Sequence, residues 1–293
     1  MYRHVTELPP PDGEPPRVKK FRLELVKAIP RIPNNPASLR HMQQKHLRAV
    51  LIDYLNWRAR YVGSRPRQIE IEAAAKADRR WSGMSAPVAA FLEKVRRGDD
   101  LTPHLSLAPH TRGYALAARA PGATSEDKWS DKDFLLTTMG CHHFHLGTAT
   151  EPAGHVSRTD ELIFAQATRD AFKVIAIFDH EVFCHHSAER MRLWGLHNRI
   201  ALRGAAPGQV VVDALITTSG HALRVVHHAD RCVLRMQAIE PRLDDRTYVE
   251  KLFADGEIEM PPKTKLEWAF FHLDLAIYDR AKRAAFIVQR GWN

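Results

Sequence analysis

Residues 162–168 (LIFAQAT) and 172–178 (FKVIAIF) are two apolar runs set around the turn residues Arg169 and Asp170, and they constrain the fold more than any other feature. Each has the length and the β-branched and aromatic composition of a strand, so a tight hairpin is expected. Residues 141–146 read as a further strand. Residues 210–218, 222–228 and 232–239 continue the β pattern, with Ala229-Asp230-Arg231 as a hairpin turn. Residues 267–277 and 284–289 suggest a last hairpin around residues 279–283, and short helices are expected at 131–138 and 244–253. The expected fold class is therefore α+β, with an antiparallel sheet domain over residues 99–293.

Before that domain the pattern changes. Residues 1–20 carry Pro9-Pro10-Pro11 and Pro15-Pro16 among charges and read as an extended leader. Residues 21–29 (FRLELVKAI) alternate like an edge strand, ended by prolines at 30, 33 and 36. Asn35 as cap and Pro36 at the first helical position then open a long helix expected to reach about Val62. A second helix runs from Ser85 to a terminating Gly98. Residues 21–98 thus form a mainly helical N-terminal region.

A chain of 293 residues with 44% hydrophobic content can bury a full core, as one large domain or two. No run approaches the roughly 18 apolar residues of a membrane span, and the start lacks the apolar stretch of a signal peptide. A cytoplasmic location is the expectation. Three widely spaced cysteines without a Cys-x-x-Cys pair argue for reduced thiols rather than a disulfide framework or zinc ribbon. Phosphate-loop, dinucleotide-binding and nucleophile-elbow motifs are all missing from the sequence.

Lys and Arg outnumber Asp and Glu by 43 to 34, a formal charge of +9 that suits a polyanionic partner. The stretch from Trp57 to Arg67 interleaves aromatics with Arg58, Arg60, Arg65 and Arg67. These arginines, with Lys173, are the candidate nucleic-acid contacts. In the alternative reading, Trp57 and Tyr61 face a core and the arginines are merely solvated.

Cys141-His142-His143-Phe144-His145 is the most unusual segment. On a strand, Cys141, His143 and His145 share one face and His142 and Phe144 the other; His143 and His145 are expected to point outward and His142 inward. His180 follows the second apolar run, where that strand releases its chain to solvent. If the hairpin packs beside the strand at 141–146, His145, His180 and Arg158 converge at one mouth of the sheet. Two imidazoles and a guanidinium suit RNA cleavage without metal: one imidazole takes the 2′-hydroxyl proton, the other protonates the leaving oxygen, and arginine stabilises the phosphorane-like charge.

His143-Phe144-His145, the run from Arg158 to Ala165 and the strand ending in Asp179-His180 resemble the bacterial ribonuclease toxins of the RelE-like and EndoU-like group. There a short twisted antiparallel sheet carries His, Arg and Lys over a basic groove. The resemblance covers residues 134–183 and implies RNA cleavage, with His145, His180, Arg158 and His143 as site residues and a neutralising antitoxin as partner. Those toxins are mostly compact, and the arginine-rich region before residue 99 has no counterpart in them. Two alternatives stand: a metal-dependent hydrolase or oxygenase holding zinc or another divalent metal through His143, His145 and His180, or a non-catalytic nucleic-acid-binding regulatory module with structural histidines.

Overall fold

The computed structural model describes residues 13–206, 208–209 and 215–293. The first 12 residues of the leader expected at 1–20 and the core of the strand expected at 210–218 lie outside these residues; from Pro16 the expected leader is helical instead, part of helix Pro16–Ala28. Strands are β1 (Arg31–Ile32), β2 (Gln68–Ile71), β3 (Tyr114–Ala115), β4 (Cys141–His145), β5 (Leu162–Ala167), β6 (Ala171–Phe178), β7 (Leu266–Phe271), β8 (Asp274–Asp279) and β9 (Ala284–Gln289). The fold is α+β. It divides into two compact units, each assembled from separate stretches: Met1–Arg58, His110–Lys132 and Leu223–Trp292 in one, Ala59–Pro109, Asp133–Ala222 and Asn293 in the other.

In the first unit the antiparallel meander β7-β8-β9 packs with helices Pro16–Ala28, Leu47–Arg58 and Leu223–Ile239. Several expectations fail here. Residues 21–29 are helical, not an edge strand: Val18, Phe21 and Leu25 recur at three- to four-residue spacing and are buried together with Val26, and Pro16 opens the helix. The hairpin expected between 222 and 239 is one continuous helix, whose buried stripe is Val225, His228, Ala229, Cys232, Val233 and Met236. Alternation over a few residues mimicked strands in both; the full helical stripe is visible only over three turns. The helix expected from Asn35 to Val62 is two, Pro36–Gln43 and Leu47–Arg58, although Asn35 caps the first through Ser38 N at 2.9 Å. The final hairpin also holds an extra turn, at His272-Leu273 between β7 and β8.

Buried charges knit this unit. Asp53 pairs with Lys45 and Arg119, and Asp131 with Arg119 and Lys132. The Nε1–H of Trp268 donates to Glu240 at 2.6 Å.

The second unit is a mixed sheet in the order β2-β6-β5-β4. The hairpin β5-β6 and the strand β4 stand where the sequence puts them, all antiparallel. The short edge strand β2, parallel to β6, was not anticipated. One face packs on the helix Ser85–Arg97 through Phe91, which lies 5.1 Å from Phe144 and 5.8 Å from Phe172 between ring centres. Gly98 ends that helix with φ 82°, as expected. The other face packs Cys141, Leu162, Phe164 and Phe178 against Leu135 and Met139 from helix Phe134–Met139 and Leu193 and Leu196 from helix Ala188–Ala201. Among the described residues no helix is long and apolar enough to cross a membrane.

Candidate functional site

A sheet covered on both faces leaves only its strand ends to solvent. β4 therefore does not present His143 and His145 outward: His145 is 5% exposed and His142 4%, and the His143 side chain 13%. His142 is structural, its Nε2 lying 2.9 Å from the Ala59 carbonyl oxygen.

Register then determines what meets at the end of β4. His145 pairs with Leu162 at the start of β5, and Leu162 with Phe178 at the end of β6. The segment leading into β5 and the turn leaving β6 consequently arrive at the same point, the first carrying Arg158 and the second His180. The rings of His145 and His180 lie 5.7 Å apart. His143 sits behind them, edge-on to Phe183 at 5.0 Å.

Local bonds hold each group. His180 Nδ1–H donates to the Asp160 carbonyl at 3.0 Å, which leaves its Nε2 available. His145 Nδ1 lies 3.3 Å from both the carbonyl oxygen and the amide nitrogen of Thr159. The Leu146 amide donates to Thr159 Oγ1 at 3.1 Å, tying the returning segment to the strand end. Gly147 makes that approach possible, since a Cβ there would sit 2.0 Å from the Ser157 carbonyl oxygen. Asp179 caps the turn that carries His180 by accepting from the Glu181 amide at 2.9 Å, and Arg80 reaches Asp179 at 3.4 Å. Arg158 is exposed; its Nη1 donates to the Leu105 carbonyl at 3.1 Å.

The two imidazoles differ in burial. Burial, then the nearby charge of Arg158, pushes His145 down to about 4, against the opposing hydrogen bond to Thr159. It is neutral at neutral pH. His143 is lowered by burial too, with Asp133 at 4.0 Å opposing the shift. His180 stands at the surface.

Sequence reasoning missed His104. Its Nδ1–H donates to the His145 carbonyl at 2.7 Å, its Nε2 faces Lys94 Nζ at 3.0 Å, and burial lowers its basicity. It lies in a stretch without periodicity, and no local pattern distinguishes it there.

The arginine run is placed differently from a phosphate-tracking surface. Arg60 and Arg67 are buried. Arg67 donates to the carbonyls of Thr168, Gly63 and Arg65 at 2.7, 2.8 and 3.2 Å, clamping the β5-β6 turn, and burial brings it down to about 10. Arg65 is half-buried. Arg58 lies over the Trp57 ring at 5.3 Å, and Lys173 pairs with Glu72 at 2.8 Å. Trp57 and Tyr61 are buried, as the alternative reading holds. Among the described residues no three His, Cys, Asp or Glu side chains are arranged to hold a metal ion. Compared with known protein families, with curated proteins and with solved structures, the chain matches none.

Proposed function

We propose that this protein cleaves RNA by metal-independent acid–base chemistry, with His145 as base, His180 as acid and Arg158 stabilising charge. The observation that supports the reading is the pair of imidazoles 5.7 Å apart at one strand end, one buried and held neutral, the other exposed. In the tautomer whose Nδ1–H points to the Thr159 carbonyl, Nε2 takes the 2′-hydroxyl proton. The 2′-oxygen bonds to phosphorus, the bond to the 5′-oxygen breaks, and that oxygen takes a proton from His180. The products are a 2′,3′-cyclic phosphate and a 5′-hydroxyl. Arg158 supplies a fixed positive charge where the phosphorane-like state gathers negative charge. A toxin-like setting, cytoplasmic and with a neutralising antitoxin, belongs to the same proposal.

The test is incubation of the purified protein with single-stranded and structured RNA, with and without EDTA, beside His145→Ala and His180→Ala. Cleavage should survive EDTA and fall by about 100-fold or more in either variant, the usual contribution of a positioned acid or base. Loss with EDTA and recovery with Zn²⁺ or Mn²⁺ would replace this reading by a metal-dependent hydrolase. Binding without cleavage under every condition would replace it by a regulatory module.

A further inference from the structure

The helix Leu223–Ile239 turns one face into the core of its unit and leaves the other to solvent. Along that outer face, Arg231, Leu234, Arg235 and Ala238 line a groove of about 460 Å³ whose opposite wall is Gln289 of β9. Arg231 and Arg235 are one helical turn apart and both exposed. Like charges at this spacing repel. Among the described residues neither has a hydrogen-bonded or ion-paired carboxylate: the adjacent Asp230 is taken by Arg48 at 2.5 Å.

Several other cations of this unit are matched. Arg17, Lys20, Arg48, Arg119, Arg246, Arg280 and Lys282 all pair with carboxylates. What sets Arg231 and Arg235 apart is their placement, two exposed guanidinium groups one helical turn apart along one groove, complementary to an anion that bridges both.

The groove is not purely polar. Leu234, between the two arginines, is 53% exposed. Arginine forks flanking aliphatic surface match a single nucleic-acid strand: phosphates accept from the guanidinium groups, base faces cover the leucine, and Gln289 offers an amide to base edges. A lipid surface fits less well, because the apolar stripe of this helix is already buried in its own unit.

We propose that this groove binds the phosphate backbone of single-stranded RNA through Arg231 and Arg235, as a site separate from the histidine pair. The choice of RNA among polyanions rests on the ribonuclease reading above. The two can nonetheless fail independently, because binding is read on an RNA that cannot be cleaved.

The experiment measures fluorescence anisotropy of a labelled, mixed-sequence 2′-O-methyl RNA with the full chain and with Arg231→Gln/Arg235→Gln. Arg246→Gln/Lys251→Gln serves as a charge-matched control on another exposed helix, and thermal melts verify that each variant is folded. The groove variant should bind about 10-fold more weakly, with the slope of log affinity against log salt reduced by about 1.4, two single-strand phosphate contacts. The control should retain most of the affinity. Unchanged affinity in the groove variant, or equal loss in both double variants, overturns the proposal. So does loss of binding to anionic phosphatidylserine vesicles with RNA affinity intact, which would make the groove a lipid contact. If cleavage is absent but arginine-dependent binding stands, the groove survives and the catalytic reading alone falls.

Discussion

At the scale of single residues, the site depends on what burial does to imidazole. His145 is held neutral because the charged form would lose solvation and face Arg158. The rising limb of a kcat/KM profile should accordingly lie near pH 4, where His145 gives up its proton, rather than near the 6.5 of a free imidazole. Initial rates from pH 3.5 to 8 measure this directly, and a rising limb centred above 6 would show that another group is the base. Arg67 illustrates the opposite use of a charged side chain. Its guanidinium is spent on three carbonyls of the second unit, so Arg67→Ala should cost about 2–4 kcal/mol of stability through the carbonyls it strands. The RNA affinity of the folded variant should not change. Urea titration together with anisotropy separates the two effects, and a variant of normal stability with weakened RNA binding would return Arg67 to the nucleic-acid surface.

Among elements, the decisive one is the connection from β4 to β5, because it has to bring Arg158 and Thr159 back to the end of the strand it has just left. At Gly147 it packs directly on the returning Ser157. Gly147→Ala should cost about 1–3 kcal/mol, as overpacked sites do, and should lower cleavage by displacing Thr159 from His145. Gly195 provides the contrast: it lies within helix Ala188–Ala201, and a Cβ there meets nothing within 4 Å. Gly195→Ala should stabilise by about 0.5–1 kcal/mol and leave activity alone. Paired urea melts and cleavage assays of the two variants check this, and a Gly147→Ala protein with unaltered activity would dissociate the connection from the site.

For the whole molecule, acid should be destabilising well above the range in which carboxylates titrate. His104, His143, His145 and His228 all have folded-state values below the ordinary 6.5, with burial the largest cause in each. Between those depressed values and 6.5 the unfolded chain binds protons that the folded chain refuses, so stability is fully present above 6.5 and is lost as pH falls toward 4. Denaturant midpoints at pH 7.5 and 5.0 should differ in that direction, and His145→Gln should shrink the difference. A midpoint that is flat over this interval would mean that these rings become charged without cost.

The hairpin β5-β6, the strand β4, the Asn35 cap, the Gly98 stop and a helix near residues 244–253, observed at Arg246–Asp255, were legible locally, since each depends on residues a few positions apart. The nearness of His145 to His180 was inferable once those strands were paired side by side. Burial was not legible there: alternation shows which side chains share a face, but not whether a helix lies over that face, and only the packed structure places both faces of β4 indoors. The same limit explains the misreading of residues 21–29 and 222–239, where apolar order over a few positions fits either period and the partner surface selects the helix. It also explains the arginines: charge is a property of the chain, but whether Arg67 meets phosphate or three carbonyls is decided by what the fold brings within hydrogen-bonding distance.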